Sequence, residues 1–349
     1  LSLRRQRQMC IRDSYQEGLQ IPPTRLFTAG ELDDVLYRFI NQNVRTRHEV
    51  RGDLMAQFAA AQIGQFRVDE LLEREDPDEV YAYMDAILDY AERRMRAAIS
   101  TLPDGTYESE DFLADDVVVD EPVRIAVSLT VKGDELRADC TGTSKQVRGP
   151  LNARLSAAKA CVYFASKAVL DPDLPTNAGA YRPIDVFSPE GTILQATYPA
   201  AIGNANILTD QRVVDVLLAA FYQIAPDRVC AACSGEMNLL NIGGIDPSND
   251  EYYNYVETYA GGQGAMHDID GSDGLHTHLT NTRNAPVETI ERTYPLQVIQ
   301  YGLVPDTCGH GRQRGGCGLV RELKCLGERT TITIGADRRK FCLLYTSPS

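Results

Sequence analysis

The chain has 349 residues, of which 43% are hydrophobic and 24% charged, with a net charge of −14. These totals exclude a disordered chain and leave room for one large domain or two ordinary ones. The acidic balance excludes a nucleic-acid binder, which needs a basic face to meet phosphates. No run approaches the ~18 apolar residues of a membrane span. The basic residues at the start are not followed by the apolar stretch of a signal peptide. Nine cysteines at irregular spacing then read as reduced thiols of a cytoplasmic protein.

The ends read differently from the rest. LSLRRQRQMCIRDS (residues 1–14) and CLLYTSPS (342–349) carry no period and resemble translated sequencing-adapter read-through. Setting them aside leaves 15–341 as one domain, expected to be an internal fragment of a longer metagenomic protein.

Residues 15–30, with IPP and AG, read as an extended lead-in. Leu32, Leu36, Phe39, Ile40 and Val44 have helical spacing, so a helix is predicted over 31–44. A long helix follows over 51–75. Asp76-Pro77-Asp78 stops it and restarts another, with Asp76 as cap and Pro77 in the first turn. Along that next helix Val80, Met84, Ile87, Leu88, Ala91 and Met95 share one face. The character then turns to strands. Val123, Ile125, Val127 and Leu129 alternate, Lys132-Gly133-Asp134 turns the chain, and Leu136, Ala138 and Cys140 alternate back, which is a β-hairpin. Helices are predicted over 153–170 and 210–224, the latter carrying Val213, Val214, Leu217, Leu218 and Phe221. From Gly235 onward the chain is rich in glycine, with strand-like runs at 296–303 and 330–334. The order of helices, hairpin, mixed elements and a mostly β, glycine-rich C-terminal part gives an α+β class without regular βαβ alternation.

Chemistry concentrates in GLHTHLTNTRN, residues 274–284. If this segment is a strand, His276 and His278 project to one face, as two ligands of a metal can. The other histidines, His48, His267 and His310, are scattered. Metal ligation, catalytic or substrate hydrogen bonding, and a purely structural network all fit the pair. Upstream, YAGGQGA (259–265) allows close approach to a ligand through Gly262, Gln263 and Gly264, although it lacks the spacing and lysine of a phosphate loop. Downstream, GHGRQRGGCG (309–318) offers Arg312 and Arg314 as a grip for an anion, or a solvated turn. Cys230 and Cys233 form a C-x-x-C without the second pair that a zinc site would need. The chain shows no G-x-S-x-G elbow, no H-E-x-x-H and no dinucleotide fingerprint.

EGLQIPP, VRGDLMAQ, DYAERRMRAAI, LPDGTYESEDF, TGTSKQVRGPLN, NAGAYRPI, TDQRVVDVLL, YAGGQGA, GLHTHLTNTRN and GRQRGGCGLVRE occur in this order. Together they resemble the hydantoinase B/5-oxoprolinase family. That family includes the B-type components of N-methylhydantoinase, the C-terminal half of 5-oxoprolinase, and the α subunits of acetone and acetophenone carboxylases. The resemblance implies a hydantoinase A-type partner that binds ATP, and ATP-dependent opening of a cyclic amide such as 5-oxoproline or a hydantoin. It also implies a divalent metal (Mn, Zn or Fe) whose His and Asp ligands precede EGLQIPP, so no metal ligand is expected here and the fragment alone is expected to be inactive. His276, His278, Asn281 and Arg283 then become candidate active-region groups, His as proton donor or acceptor and Asn and Arg orienting a carbonyl or carboxylate. Gly262, Gln263 and Gly264 become candidate substrate contacts. Two other readings are a carboxylase α subunit acting on a ketone, and a non-catalytic truncated scaffold. Cys233, Cys308 and Cys317 stand where the family pattern has mostly small residues, so the C-x-x-C reads as incidental.

Overall fold

The computed structural model describes residues 21–44, 46–235 and 237–337; both chain ends and the first four residues of EGLQIPP lie outside them. β1 (Phe27–Thr28) and β2 (Glu31–Leu32) pair through a turn at Ala29 and Gly30, both with positive φ. That pairing takes the first residues of the predicted 31–44 helix, so α1 spans Asp34–Gln42, with the Asp33 side chain accepting from the Leu36 N–H. α2 (Arg47–Arg74) buries none of its residues. α3 (Pro77–Ile99) starts as its sequence dictates, with Asp76 capping through the Asp78 N–H and Pro77 in the first turn. Only part of its apolar stripe meets the core. Val80, Ala91, Met95 and Ile99 are buried, whereas Met84 and Ile87 stay about half exposed.

The main sheet has the order β3 (Gly105–Leu113), β4 (Val123–Lys132), β5 (Glu135–Asp139), β6 (Ile184–Phe187). The predicted hairpin is β4–β5. Val131 pairs with Leu136 and Lys132 with Glu135, and Gly133 takes φ +62° in the two-residue loop. β6 adds parallel to β5 after a crossover through α4 (Leu155–Leu170), the only parallel pairing among the described strands. α4 and α5 (Asp210–Tyr222) lie over the sheet. Val123, Ile125, Val127, Leu129 and Val131 point into a core shared with Ala158, Cys161, Val162, Val213, Leu217 and Phe221. A π-helical turn at Ala205–Thr209 leads into α5 and is anchored by the Thr209 hydroxyl donating to the Leu151 carbonyl at 2.6 Å.

The C-terminal part is β, as expected. β7 (Asn238–Ile245), β8 (Tyr252–Tyr259) and β11 (Thr330–Gly335) form an antiparallel sheet in the order β11-β7-β8. β9 (Leu296–Leu303) and β10 (Leu319–Cys325) make a separate ribbon, and α6 (Val287–Thr293) precedes it. Ile242, Tyr253, Tyr255, Ile290 and Leu296 form a second, smaller core. Arg212 of α5, its side chain 1% exposed, joins the two parts by donating to Asp111 of β3 at 2.8 Å and to Asp337 just past β11 at 2.7 Å. The class is α+β. The seven described cysteines are free thiols.

Candidate functional site

α5 is buried along most of its length, so each charged side chain it carries needs a partner. Arg212 has its two aspartates. Asp215, further along, meets a different pair. Its Oδ1 lies 2.8 Å from Nε2 of His278, and the Sγ of Cys233 lies 3.1 Å from the same Nε2 and 3.9 Å from the Asp215 oxygen. The His278 and Asp215 side chains keep only 5% and 9% of their accessible surface, and Cys233 is 4% exposed. Among the described residues, this is the one group of three His, Cys, Asp or Glu side chains whose ligand atoms lie within 4.8 Å of each other.

Three chain segments deliver these atoms. Asp215 comes from the helix. Cys233 comes from the extended run ahead of β7, and His278 from a loop where its backbone takes φ 57°. A left-handed conformation at a residue other than glycine is uncommon and marks a position held by its surroundings. The edge of the Phe164 ring, on α4, closes against the imidazole at 6.4 Å between centroids.

The strand geometry that would project His276 and His278 to one face is not present. The segment is a loop, and the positive φ of His278 turns its side chain away from that of His276. His276 faces β8 instead, with its ring on the Thr258 backbone and near Glu257. Burial holds its pKa below the ordinary value, and its Nε2 is buried without a partner. Burial acts downward on His278 too, but the pull of Cys233 and Asp215 outweighs it and raises the imidazole to about 10. Burial therefore favours the neutral form of His276, while the partners of His278 favour its imidazolium. Both acceptors of His278 sit on Nε2. That is not a nucleophile relay, which would put the carboxylate on Nδ1 and the thiol on Nε2.

The rest of GLHTHLTNTRN splits as well. Asn281 and Arg283 are exposed. Asn284 donates to Glu257 at 2.9 Å and to the Thr258 carbonyl at 3.2 Å, and accepts from the Tyr301 hydroxyl. Glu257 also pairs with Arg321 at 2.8 Å, the two side chains 5% and 1% exposed, and the Arg321 guanidinium lies 4.3 Å from the centre of the Tyr301 ring. This second polar cluster ties the end of the motif to β8, β9 and β10.

The glycine segment makes the close approach its sequence calls for, and the approaching group is protein backbone. The Ala231 N–H donates to the Ala265 carbonyl and the Ser234 N–H to that of Gly262, so the run bearing Cys233 lies along YAGGQGA. On the other side Gln263 exchanges backbone bonds with Ser272 and Gly316. A Cβ on Gly264 would fall 1.7 Å from the Ala231 carbonyl oxygen, and one on Gly262 would fall 1.9 Å from that of Gly316. Arg314, read as an anion grip, is committed to Asp273 at 2.8 Å and 3.4 Å. That fork, with the Cys317 N–H, brings Asp273 down to about 2. Sequence reasoning names Cys233 only as half of an incidental C-x-x-C, and it does not name Asp215. The available signal was a carboxylate between Val214 and Val216 in an otherwise buried helix.

The profile of the Hydantoinase B/oxoprolinase family matches residues 9–343. A protein of Methanocaldococcus jannaschii without an assigned function is 38% identical over 95% of this chain. A protein of Pseudomonas sp. (strain NS671) assigned as the B component of a D-/L-hydantoinase is 34% identical over 94% of it. The chain spans 57% of the length of each. The ATP-dependent caprolactamase of Pseudomonas jessenii superposes with a TM-score of 0.82 at 29% identity, over 89% of this chain and 55% of that one. A nucleotide-free acetone carboxylase shares the fold, with a TM-score of 0.81 at 18% identity, over 90% of this chain and 44% of that one. The chain belongs to the hydantoinase B/oxoprolinase family.

Proposed function

We propose that the whole protein is the B-type component of a cytoplasmic ATP-dependent hydrolase of cyclic amides, opening a hydantoin or 5-oxoproline ring together with an A-type ATP-binding subunit. The observation that carries this reading is 34% identity, across 94% of the chain, to a protein assigned as the B component of a hydantoinase. The caprolactamase fold match, at 29% identity to an enzyme that is itself ATP-dependent, supports the same class. A carboxylase role rests on an 18% likeness, which speaks to fold alone.

The chemistry that ATP supplies, when bound to the partner, is conversion of the amide oxygen into a better leaving group. The task for this chain is to orient the ring and move protons. His276 is suited to that task, because a neutral imidazole with an unpartnered Nε2 can donate or accept at that atom. Asn281 and Arg283, on the same loop and exposed, are assigned to the carbonyl or carboxylate of the substrate. Gln263, between the two tightly packed glycines, is kept as a substrate contact, its side chain half-buried at the loop surface. A divalent metal belongs to the proposed enzyme, its expected ligands lying ahead of the described residues.

The test is to co-express the full-length protein with its ATP-binding subunit and follow ADP release and ring opening. ADP release that depends on 5-oxoproline, hydantoin or caprolactam supports the proposal. ATP use that needs a ketone and bicarbonate transfers the protein to the carboxylases, and no substrate-dependent ATP use leaves a scaffold. In the active complex, His276→Ala is expected to lower kcat by about 100-fold or more, the usual contribution of a general acid or base. A loss below about tenfold rejects a central role for His276.

A further inference from the structure

We propose that Asp215, Cys233 and His278 form a binding site for one transition-metal dication of the zinc class.

Protons are in short supply within this triangle. Nε2 of His278 carries at most one, yet it faces the Asp215 carboxylate at 2.8 Å and the Cys233 sulfur at 3.1 Å. One N–H directs a good hydrogen bond to one of them. The thiol proton can turn only toward an oxygen 3.9 Å away, at the far limit for sulfur. Two protons therefore serve three edges of a triangle whose side chains are 5%, 9% and 4% exposed. A cation at the centre of the triangle meets all three donors at once.

The spacing suits that ion. Zinc sits about 2.3 Å from sulfur and about 2.0–2.2 Å from nitrogen or oxygen, so a tetrahedral site separates its donors by roughly 3.3–3.6 Å. The observed separations of 2.8, 3.1 and 3.9 Å bracket that range. The charges suit it too. A carboxylate and a thiolate neutralise a divalent ion, with a neutral imidazole as third donor, so the buried site carries no net charge. Binding releases the thiol and imidazolium protons to solvent. The donor set is soft. Sulfur and imidazole nitrogen select zinc, cobalt, iron or copper over magnesium and calcium, which prefer all-oxygen shells. The backbone adds an independent sign, since His278 is held at φ 57° to deliver its ring here.

The test uses the full-length chain with its partner, stripped of metal by a chelator and titrated with Co²⁺. The expected result is a thiolate-to-cobalt charge-transfer band that saturates with one equivalent of Co²⁺ beyond any taken up by the expected upstream His/Asp site, and that added Zn²⁺ erases. Cys233→Ser is expected to remove the band, and Asp215→Asn to keep it while weakening Co²⁺ binding at least tenfold. No thiolate band in the wild-type protein, or a band that survives Cys233→Ser, overturns the proposal. If the variants fail to fold, zinc-edge X-ray absorption of the wild-type protein decides. Sulfur in the averaged zinc shell supports the site, and a shell without sulfur refutes it. These readouts do not depend on which ring the enzyme opens, so the site and the proposed activity stand or fall separately.

Discussion

Burial acts on Asp210 and on His278 with opposite outcomes, because only His278 meets charged partners. Asp210 opens α5 with its carboxyl buried and its Oδ1 lacking a hydrogen bond, and desolvation pushes it up to about 6. The folded protein therefore holds a proton between about pH 4 and pH 6 that the unfolded chain has released. Stability is greatest with Asp210 protonated and falls as pH rises through that window, by about 3 kcal/mol in all. Asp210→Asn removes the group that titrates. The expected outcome is that the variant gains on the wild type as pH goes from about 4 to about 7, read from urea midpoints at each pH. A constant difference between the two proteins across that range would show that Asp210 does not hold the proton. The same scale shows what the sequence could not reveal of the site. GLHTHLTNTRN announces itself by composition, but its two histidines part because one backbone angle turns. Asp215 and Cys233 lie 63 and 45 residues from His278, and only the tertiary fold brings them together.

At the scale of elements, the glycine-rich half is held by backbone against backbone. The runs around residues 231–234, 262–265, 271–274 and 314–317 bond to one another through N–H and carbonyl groups. Gly262, Gly264, Gly271 and Gly316 each stand where a Cβ would fall 2.0 Å or less from a neighbouring carbonyl oxygen. Gly264→Ala forces the run bearing Cys233 away from its neighbour. It is expected to destabilise the protein by about 3 kcal/mol, the upper end for overpacking, and to lower its melting temperature. Gly302→Ala, where nothing lies within 4 Å of the added atom, is the matched control, and equal melting temperatures for the two variants would refute close packing as the cause. Glycine density was legible in the sequence; what the glycines face was not, because absence of a side chain does not say which surface comes close. Helices show the same limit. Asp76-Pro77 fixed the start of α3 and its period fixed the apolar face, yet Met84 and Ile87 on that face remain about half exposed. Period identifies a face without saying how far along the helix a neighbour covers it. The hairpin β4–β5 was readable because its alternation and its Gly-Asp turn are local. β7 and β8 were not singled out, since Gly243 and Gly244 interrupt the one and consecutive tyrosines blur the period of the other.

At the scale of the whole molecule, the question is what makes two cores one structure. The main sheet with α4 and α5 holds most of the buried apolar residues, and the β7–β8–β11 sheet with its ribbon holds a smaller set. Between them stands Arg212. Its guanidinium reaches Asp111 of the first sheet and Asp337 at the end of the second, while Asp337 also accepts from the Ala114 N–H at 2.8 Å. A buried guanidinium needs both carboxylates, since removing one partner of such a pair typically costs about 3–5 kcal/mol. Asp337→Asn keeps the shape and an acceptor for Ala114 but removes the charge facing Arg212. The strain falls on the end of β11, which only β7 holds on the sheet side. Hydrogen exchange is therefore expected to accelerate in β11 and β7 of the variant before it changes in β3 and β4, where the register of nine paired residues is unaffected. Equal acceleration in both sheets would mean that the protein opens as one unit and that Arg212 is not the hinge of its cooperativity. Faster exchange confined to the second sheet would locate the coupling at this residue, on the same helix that presents Asp215 to the candidate metal site about one and a half turns from its start.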